Sequence, residues 1–205
     1  MEPRQTILPF ARQGEADDGR IVLGAANRTV ADALSNPDAW PFRTAVLAGP
    51  PRSGKSLFAR WFAAQPGCAA VDGADGWDET RLFHRWNSVQ EGAGFLLLVS
   101  DRQPWEIALP DLRSRLGAAL QLEIAEPDDS LADGLIAHHA EQRGLSLGEE
   151  ARAYLLPRIH RTHAGIETLV ATIDRLSLER KAPAGLALCR EALTAAQGAM
   201  QPRLL

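Results

Sequence analysis

Cysteine is nearly absent from the 205-residue chain, which holds only Cys68 and Cys189. The two lie far apart and match no metal or redox spacing, so zinc-ribbon, thioredoxin-like and disulfide-stapled secreted classes are excluded. A basic excess is also missing. Lysine and arginine total 22 against 26 acidic residues, a formal net charge of -4. That balance argues against a broad grip on nucleic acid, and direct sequence-specific DNA binding is not expected. No stretch approaches the roughly 20 apolar residues that span a bilayer, so no membrane association is expected. The opening Met1-Glu2-Pro3-Arg4-Gln5-Thr6 lacks the apolar core of a secretory signal. Together these absences lead to the expectation of a reduced, cytoplasmic protein. What is present, 45% hydrophobic residues, suffices for a packed core.

Three segments differ in character. Residues 1–19 join an apolar-tipped tail to the polar spacer Gln13-Gly14-Glu15-Ala16-Asp17-Asp18-Gly19, a composition that reads as a flexible arm. Residues 20–126 alternate strand and helix patterns. Arg20–Gly24 reads as a brief extended segment and Ala26–Leu34 as a helix that Asn36-Pro37 ends. Thr44–Ala48 reads as a buried strand, Lys55–Ala64 as a helix, Ala69–Val71 as a strand and Glu79–Val89 as a helix. Phe95–Val99 carries the strongest strand pattern, and Ala119–Ile124 alternates as one more. The order predicts an α/β layered sheet. From Pro127 to Leu205 only helical periodicity survives, over 128–143, 146–156, 165–180 and 184–196. These residues read as a separate helical lid, with Asp128-Asp129-Ser130 and Ser146 as expected N-caps and Gly144 as a stop.

The segment Gly49-Pro50-Pro51-Arg52-Ser53-Gly54-Lys55-Ser56 satisfies G-x-x-x-x-G-K-[ST] in full. It also stands between a strand and a helix, where such a loop can work. Glycines let the loop carrying Gly49, Pro51, Arg52, Ser53 and Gly54 curl into a nest whose non-proline amides point at phosphate oxygens. Lys55 is expected to reach the terminal phosphates and the Ser56 hydroxyl to hold Mg²⁺. The cofactors expected are therefore ADP or ATP with Mg²⁺. A metal-side carboxylate belongs at the end of a later strand, and Asp72, directly after Ala69-Ala70-Val71, has that place. Gly73 follows where a second acidic residue would orient water, with Asp75 two positions on, so intrinsic hydrolysis is expected to be weak.

These residues resemble the DnaA initiator family of AAA+ proteins over roughly residues 20–178. Ile21-Val22-Leu23-Gly24-Ala25-Ala26-Asn27 looks like the family's segment leading into the nucleotide site, which implies nucleotide contacts for Val22 and Leu23. Ser100-Asp101-Arg102-Gln103-Pro104 looks like the sensor 1 strand end, with Asp101 as the sensor. Leu109-Pro110-Asp111-Leu112-Arg113-Ser114-Arg115-Leu116 resembles the arginine-finger segment. The resemblance implies that Arg115 acts in trans on a nucleotide held by a neighbour, with Arg113 the alternative if the register slips and Arg102 a more distant one. Glu167 stands where the family usually places a phosphate-touching arginine, so either Arg161 or Arg175 substitutes or the lid senses nucleotide poorly.

Gln5-Thr6-Ile7-Leu8-Pro9-Phe10 looks like the sliding-clamp-binding peptide of short regulators within that family. Gln5 would bond a polar slot, Leu8 and Phe10 would fill an apolar pocket, and Pro9 would limit the entropy lost on ordering. A helix-turn-helix DNA-binding domain of the initiator's kind is not expected after the lid. The resemblance therefore implies a negative regulator of replication initiation, with the DNA polymerase III sliding clamp and the initiator DnaA as partners. A self-contained ATPase of helicase-loader type and a clamp-tethered adaptor are the alternatives, and homo-oligomerisation stays open. His138, His139, His160 and His163 have no cysteine or carboxylate at ligand spacing and read as exposed helical histidines. Trp40, Trp61, Trp77, Trp86 and Trp105 read as core or interface residues.

Overall fold

The computed structural model describes residues 7–8, 20–92 and 94–200. It divides into two compact units, one ending at Ala125 and the other starting at Glu126.

In the first unit, β1 (Ile7–Leu8) pairs antiparallel with β2 (Ile21–Val22), placing Ile7 opposite Val22 and Leu8 opposite Ile21. Helix α1 (Ala25–Ser35) follows, burying Val30, Ala31 and Leu34 at three-to-four spacing. Then come β3 (Thr44–Ala48), α2 (Lys55–Ala63), β4 (Cys68–Val71) and α3 (Glu79–Glu91). The unit closes with β5 (Phe95–Val99), α4 (Pro110–Ala118) and β6 (Leu120–Glu123). The four strands β4-β5-β3-β6 form one parallel sheet. Every residue of β3 is buried, as are the last four of β5, which is why both read as unbroken apolar runs rather than alternating ones.

Helices on both faces complete the core. Phe58 and Phe62 of α2 pack with Val30 and Leu34 of α1 against Ala45 and Leu47. Trp40 stacks on Phe62 at 5.0 Å and its indole N–H donates to the Ala33 carbonyl. A second cluster sets Leu82, Trp86 and Val89 of α3 and Leu112 and Leu116 of α4 against Val46, Leu96 and Leu98.

The second unit is helical: α5 (Asp129–Gln142), α6 (Glu149–Leu155), α7 (His163–Arg180) and α8 (Leu186–Met200). Its core joins Ile136 and Ala140 to Leu155, to Ile166, Leu169, Val170 and Ile173, and to Leu188, Cys189 and Ala192. Asp128 caps α5 as expected, its carboxylate accepting from the Leu131 amide at 2.7 Å. Ser146 does not cap α6. That helix starts at Glu149 behind Gly148, and the negative charges of Glu149 and Glu150 in its first turn oppose the free amides instead. Helix α7 starts earlier than the apolar pattern suggests, because the Thr162 hydroxyl accepts from the Gly165 amide. His138 and His163 are buried, contrary to the reading of exposed histidines.

Candidate nucleotide site

The sheet topology locates the site. After β3 the chain leaves through α2 to the edge strand β4; after β5 it leaves through α4 to β6, on the other side of β3. Adjacent strands β3 and β5 therefore send their connections in opposite directions, and ligands of open α/β sheets bind at such a crevice, beyond the carboxyl ends of the strands. The glycine-rich loop follows β3 and Asp101 follows β5.

The loop has the conformation that its residues allow. Gly54 is left-handed at φ 87°, as is Arg52 at φ 64°. A Cβ on Gly49 would come within 3.0 Å of Ile124 Cβ and 3.1 Å of Ser53 Oγ, so only glycine fits against β6. No side chain caps the first turn of α2. Its leading amides and positive dipole end face the loop, which is the arrangement that accepts an anion. Ser53 Oγ is buried and has no hydrogen-bond partner among the described residues. An orphaned hydroxyl within a loop of this shape fits a ligand rich in acceptor oxygens.

Lys55 is buried at 6% exposure. Its ammonium donates to the carbonyls of Gly49 at 2.9 Å and Pro50 at 3.1 Å, and lies 3.1 Å from Asp101 Oδ1. The ammonium of the β3–α2 loop and the carboxylate from the end of β5 thus meet at the switch point. Ser56 is exposed in the first turn of α2, and Asp72 is exposed directly after β4.

Three further residues, Asn27, Asp75 and Glu79, organise the surroundings. Asn27 is buried, donates to the Val22 carbonyl at 2.9 Å and accepts from the Gly24 amide at 2.9 Å. It thereby fixes Val22 and Leu23 at the start of α1, while the Ala125 amide donates to Ala26 from beyond β6. Asp75 accepts from the Asp101 amide at 3.0 Å and pairs with Arg102 at 3.5 Å, so it holds the turn that carries Asp101. Glu79 accepts from the Ala108 and Leu109 amides at 2.8 and 2.5 Å.

The segment around Arg115 folds as α4. Leu112 and Leu116 face the core and carry Arg115 to the same side. Its guanidinium lies 4.8 Å from the Phe83 ring and 4.3 Å from the Trp86 ring of α3. Arg113 donates to the carbonyls of Ile107 and Ala108, closing the preceding loop. In the helical unit Arg161 pairs with Asp129 and Arg175 with Glu179. Glu167 is half-buried in α7. Of the peptide at 5–10, Gln5, Pro9 and Phe10 lie outside the described residues, while Leu8 belongs to β1.

A parallel sheet with a glycine-rich loop at its switch point and a four-helix unit after it defines the AAA+ class. The crystal structure of domain III of the Thermotoga maritima replication initiation protein DnaA superposes with a TM-score of 0.69 at 15% identity, covering 85% of this chain and 94% of that one. AMPPCP-bound DnaA from Aquifex aeolicus gives 0.61 at 18% identity, covering 87% of this chain and 68% of that one. No family model matches the sequence. In sequence, 119 residues are 27% identical to the chromosomal replication initiator protein DnaA of Lactobacillus acidophilus, a match spanning 56% of this chain but only 26% of that protein. The chain thus has the fold of the DnaA AAA+ domain and is similar in sequence to DnaA over part of its length.

Proposed function

We propose that this chain binds an adenine nucleotide in the β3–α2 loop and acts as an Hda-like negative regulator of replication initiation. In this reading Gly49, Arg52, Ser53, Gly54 and Lys55 hold the phosphates in a loop that Pro51 helps shape, with Val22 and Leu23 beside the nucleoside, and Ser56 and Asp72 hold Mg²⁺. The bound metal would neutralise phosphate charge. The observation that carries nucleotide binding is the cradle itself, with Lys55 buried at its centre and Ser53 Oγ unpartnered inside it.

Turnover by the chain alone is expected to be slow. Gly73 supplies no second carboxylate, and the Asp75 carboxylate is engaged by the Asp101 amide and Arg102. The activity instead falls to Arg115, presented to ATP on DnaA while the peptide at 5–10 docks on the sliding clamp. A planar, always-charged guanidinium suits the charge of a transferring phosphoryl group, and such fingers contribute about 10³–10⁵ in rate. Relatedness to DnaA and the placement of Arg115 on a helix that follows the Asp101 turn support this assignment.

The clamp-tethered adaptor is the second reading, favoured by the stacking of Arg115 on Phe83 and Trp86. One experiment separates the two. ATP hydrolysis by DnaA is followed with DNA-loaded clamp and this protein, either intact or as Arg115→Ala. The regulator reading expects the stimulation to vanish in the variant; undiminished stimulation would leave the adaptor.

A further inference from the structure

Helix α4 starts without a cap of its own. Its N-cap residue is Leu109, no side chain of the helix closes that end, and Pro110 at the first position brings no amide. The two amides just ahead of it, on Ala108 and Leu109, both point at one carboxylate from another helix, Glu79 at the start of α3. A negative charge at this end also complements the α4 dipole. The loop is closed from the other side by Arg113, whose guanidinium donates to the carbonyls of Ile107 and Ala108.

Five residues further along α4 than Pro110, Arg115 lies across Phe83 and Trp86, two side chains of the helix that Glu79 begins. Helix α3 therefore touches α4 at two places: a carboxylate grips its N-terminus, and two rings hold its arginine. Leu112 and Leu116 anchor the nine-residue helix in the core, and the Glu79 contact fixes the loop from which it starts, so both bear on where the guanidinium goes.

From this we infer that Glu79 is a positioning residue for Arg115: by accepting from the two amides that lead into α4 it fixes the start of the helix from which the guanidinium acts. The inference rests on the finger reading above. Glu79 also stands seven residues after Asp72 and four after Asp75, in the same β4–α3 connection. One stretch of chain thus carries the proposed metal-side carboxylate, the clamp on the Asp101 turn and the carboxylate that holds the start of the arginine helix.

Glu79→Gln, Glu79→Ala, Arg115→Ala and the double variant Glu79→Ala/Arg115→Ala are compared in the stimulated hydrolysis assay with DnaA and loaded clamp. Loss of a doubly accepting carboxylate is expected to lower stimulation about tenfold in Glu79→Ala. Glu79→Gln, which keeps one accepting oxygen, recovers part of it. The double variant is no worse than Arg115→Ala, because Glu79 acts through the arginine. A second readout needs no partner: Trp86 emission, taken as the difference from Trp86→Phe in each background, changes in Glu79→Ala as the guanidinium leaves the ring. If Arg115→Ala is defective while both Glu79 variants match the intact protein, the positioning role falls and the finger stands. If Arg115→Ala itself matches the intact protein, both fall. A double variant clearly worse than Arg115→Ala overturns action through the arginine.

Discussion

In the α/β unit the Lys55 ammonium is buried between two carbonyls and the Asp101 carboxylate, next to a serine hydroxyl with no partner. In the helical unit Arg152, Arg161, Arg175 and Arg180 pair with Asp133, Asp129, Glu179 and Glu191. All four of those arginines are at least partly exposed. One unit gathers an ammonium, a carboxylate and a buried hydroxyl beyond the ends of its strands, while the other disperses its charge in pairs along helix surfaces. The difference follows from architecture. Parallel strands bring several loops and one helix N-terminus to a common edge, whereas packed helices share apolar stripes and leave their polar faces to water.

The comparison breaks first if the helical unit does not depend on its apolar core. Ile173 is fully buried among Ile136, Ile166 and Leu169. Ile173→Ala is expected to cost about 3 kcal/mol, from lost transfer energy and the cavity left behind. Denaturant unfolding followed by circular dichroism measures it. A loss below about 1 kcal/mol would mean that the core relaxes around the gap.

In the other unit the largest effect belongs to binding. Lys55→Ala is expected to weaken ADP and ATP binding about 100-fold, as removal of a buried charged partner does. Calorimetric titration with Mg²⁺ reads it directly. Equal affinity in the folded variant would reject the cradle as the site.

The regular elements were legible because their causes are local. The motif from Gly49 to Ser56 carries its own conformation, and β3 and β5 announce burial on both faces by unbroken apolar runs. Asn27 carried less signal, since it makes only the returning half of a capping box, accepting from the amide of Gly24, which has no side chain to reciprocate. Helix α4 was harder: it is short, only Leu112 and Leu116 are buried, and Pro110 at its first position was the one usable cue. The contacts of Asp75 with Asp101 and of Glu79 with Ala108 and Leu109 had no signal at all. They join residues 26 to 30 positions apart, and nothing in a periodic pattern specifies which carboxylate closes which loop. The start of α6 differs from the expected cap at Ser146 because the helix begins behind Gly148, with Glu149 and Glu150 in its first turn.

A smaller effect concerns pH in the helical unit. Burial lowers the pKa of His139 below its ordinary value near 6.5, and the neighbouring His138 lowers it further, while Glu167 pulls the other way. The folded state therefore favours neutral His139. Its contribution is present above pH 6.5 and is lost as the pH falls through the depressed folded value, because the unfolded chain binds the proton more readily. Melting temperatures between pH 8 and pH 5 are expected to fall less steeply for His139→Gln than for the intact protein. Parallel slopes would show that His139 titrates alike in both states.

The smallest expected effect tests the surface pairs themselves. Arg175 and Glu179 stand four residues apart on α7, 2.8 Å from each other, with both side chains more than half exposed. Water and salt screen such a pair, and holding two long side chains in one geometry costs entropy. The basic residue also precedes the acidic one, the less favourable order along a helix dipole. Arg175→Ala is therefore expected to change stability by no more than about 0.5 kcal/mol at low salt, and alanine's helix propensity offsets part of that. At 1 M salt, where the screening length is about 3 Å, the difference should disappear. A loss above about 1.5 kcal/mol that persists in high salt would mean that this arginine packs its stem against the helical core, and that charge in this unit is not merely dispersed over its surface.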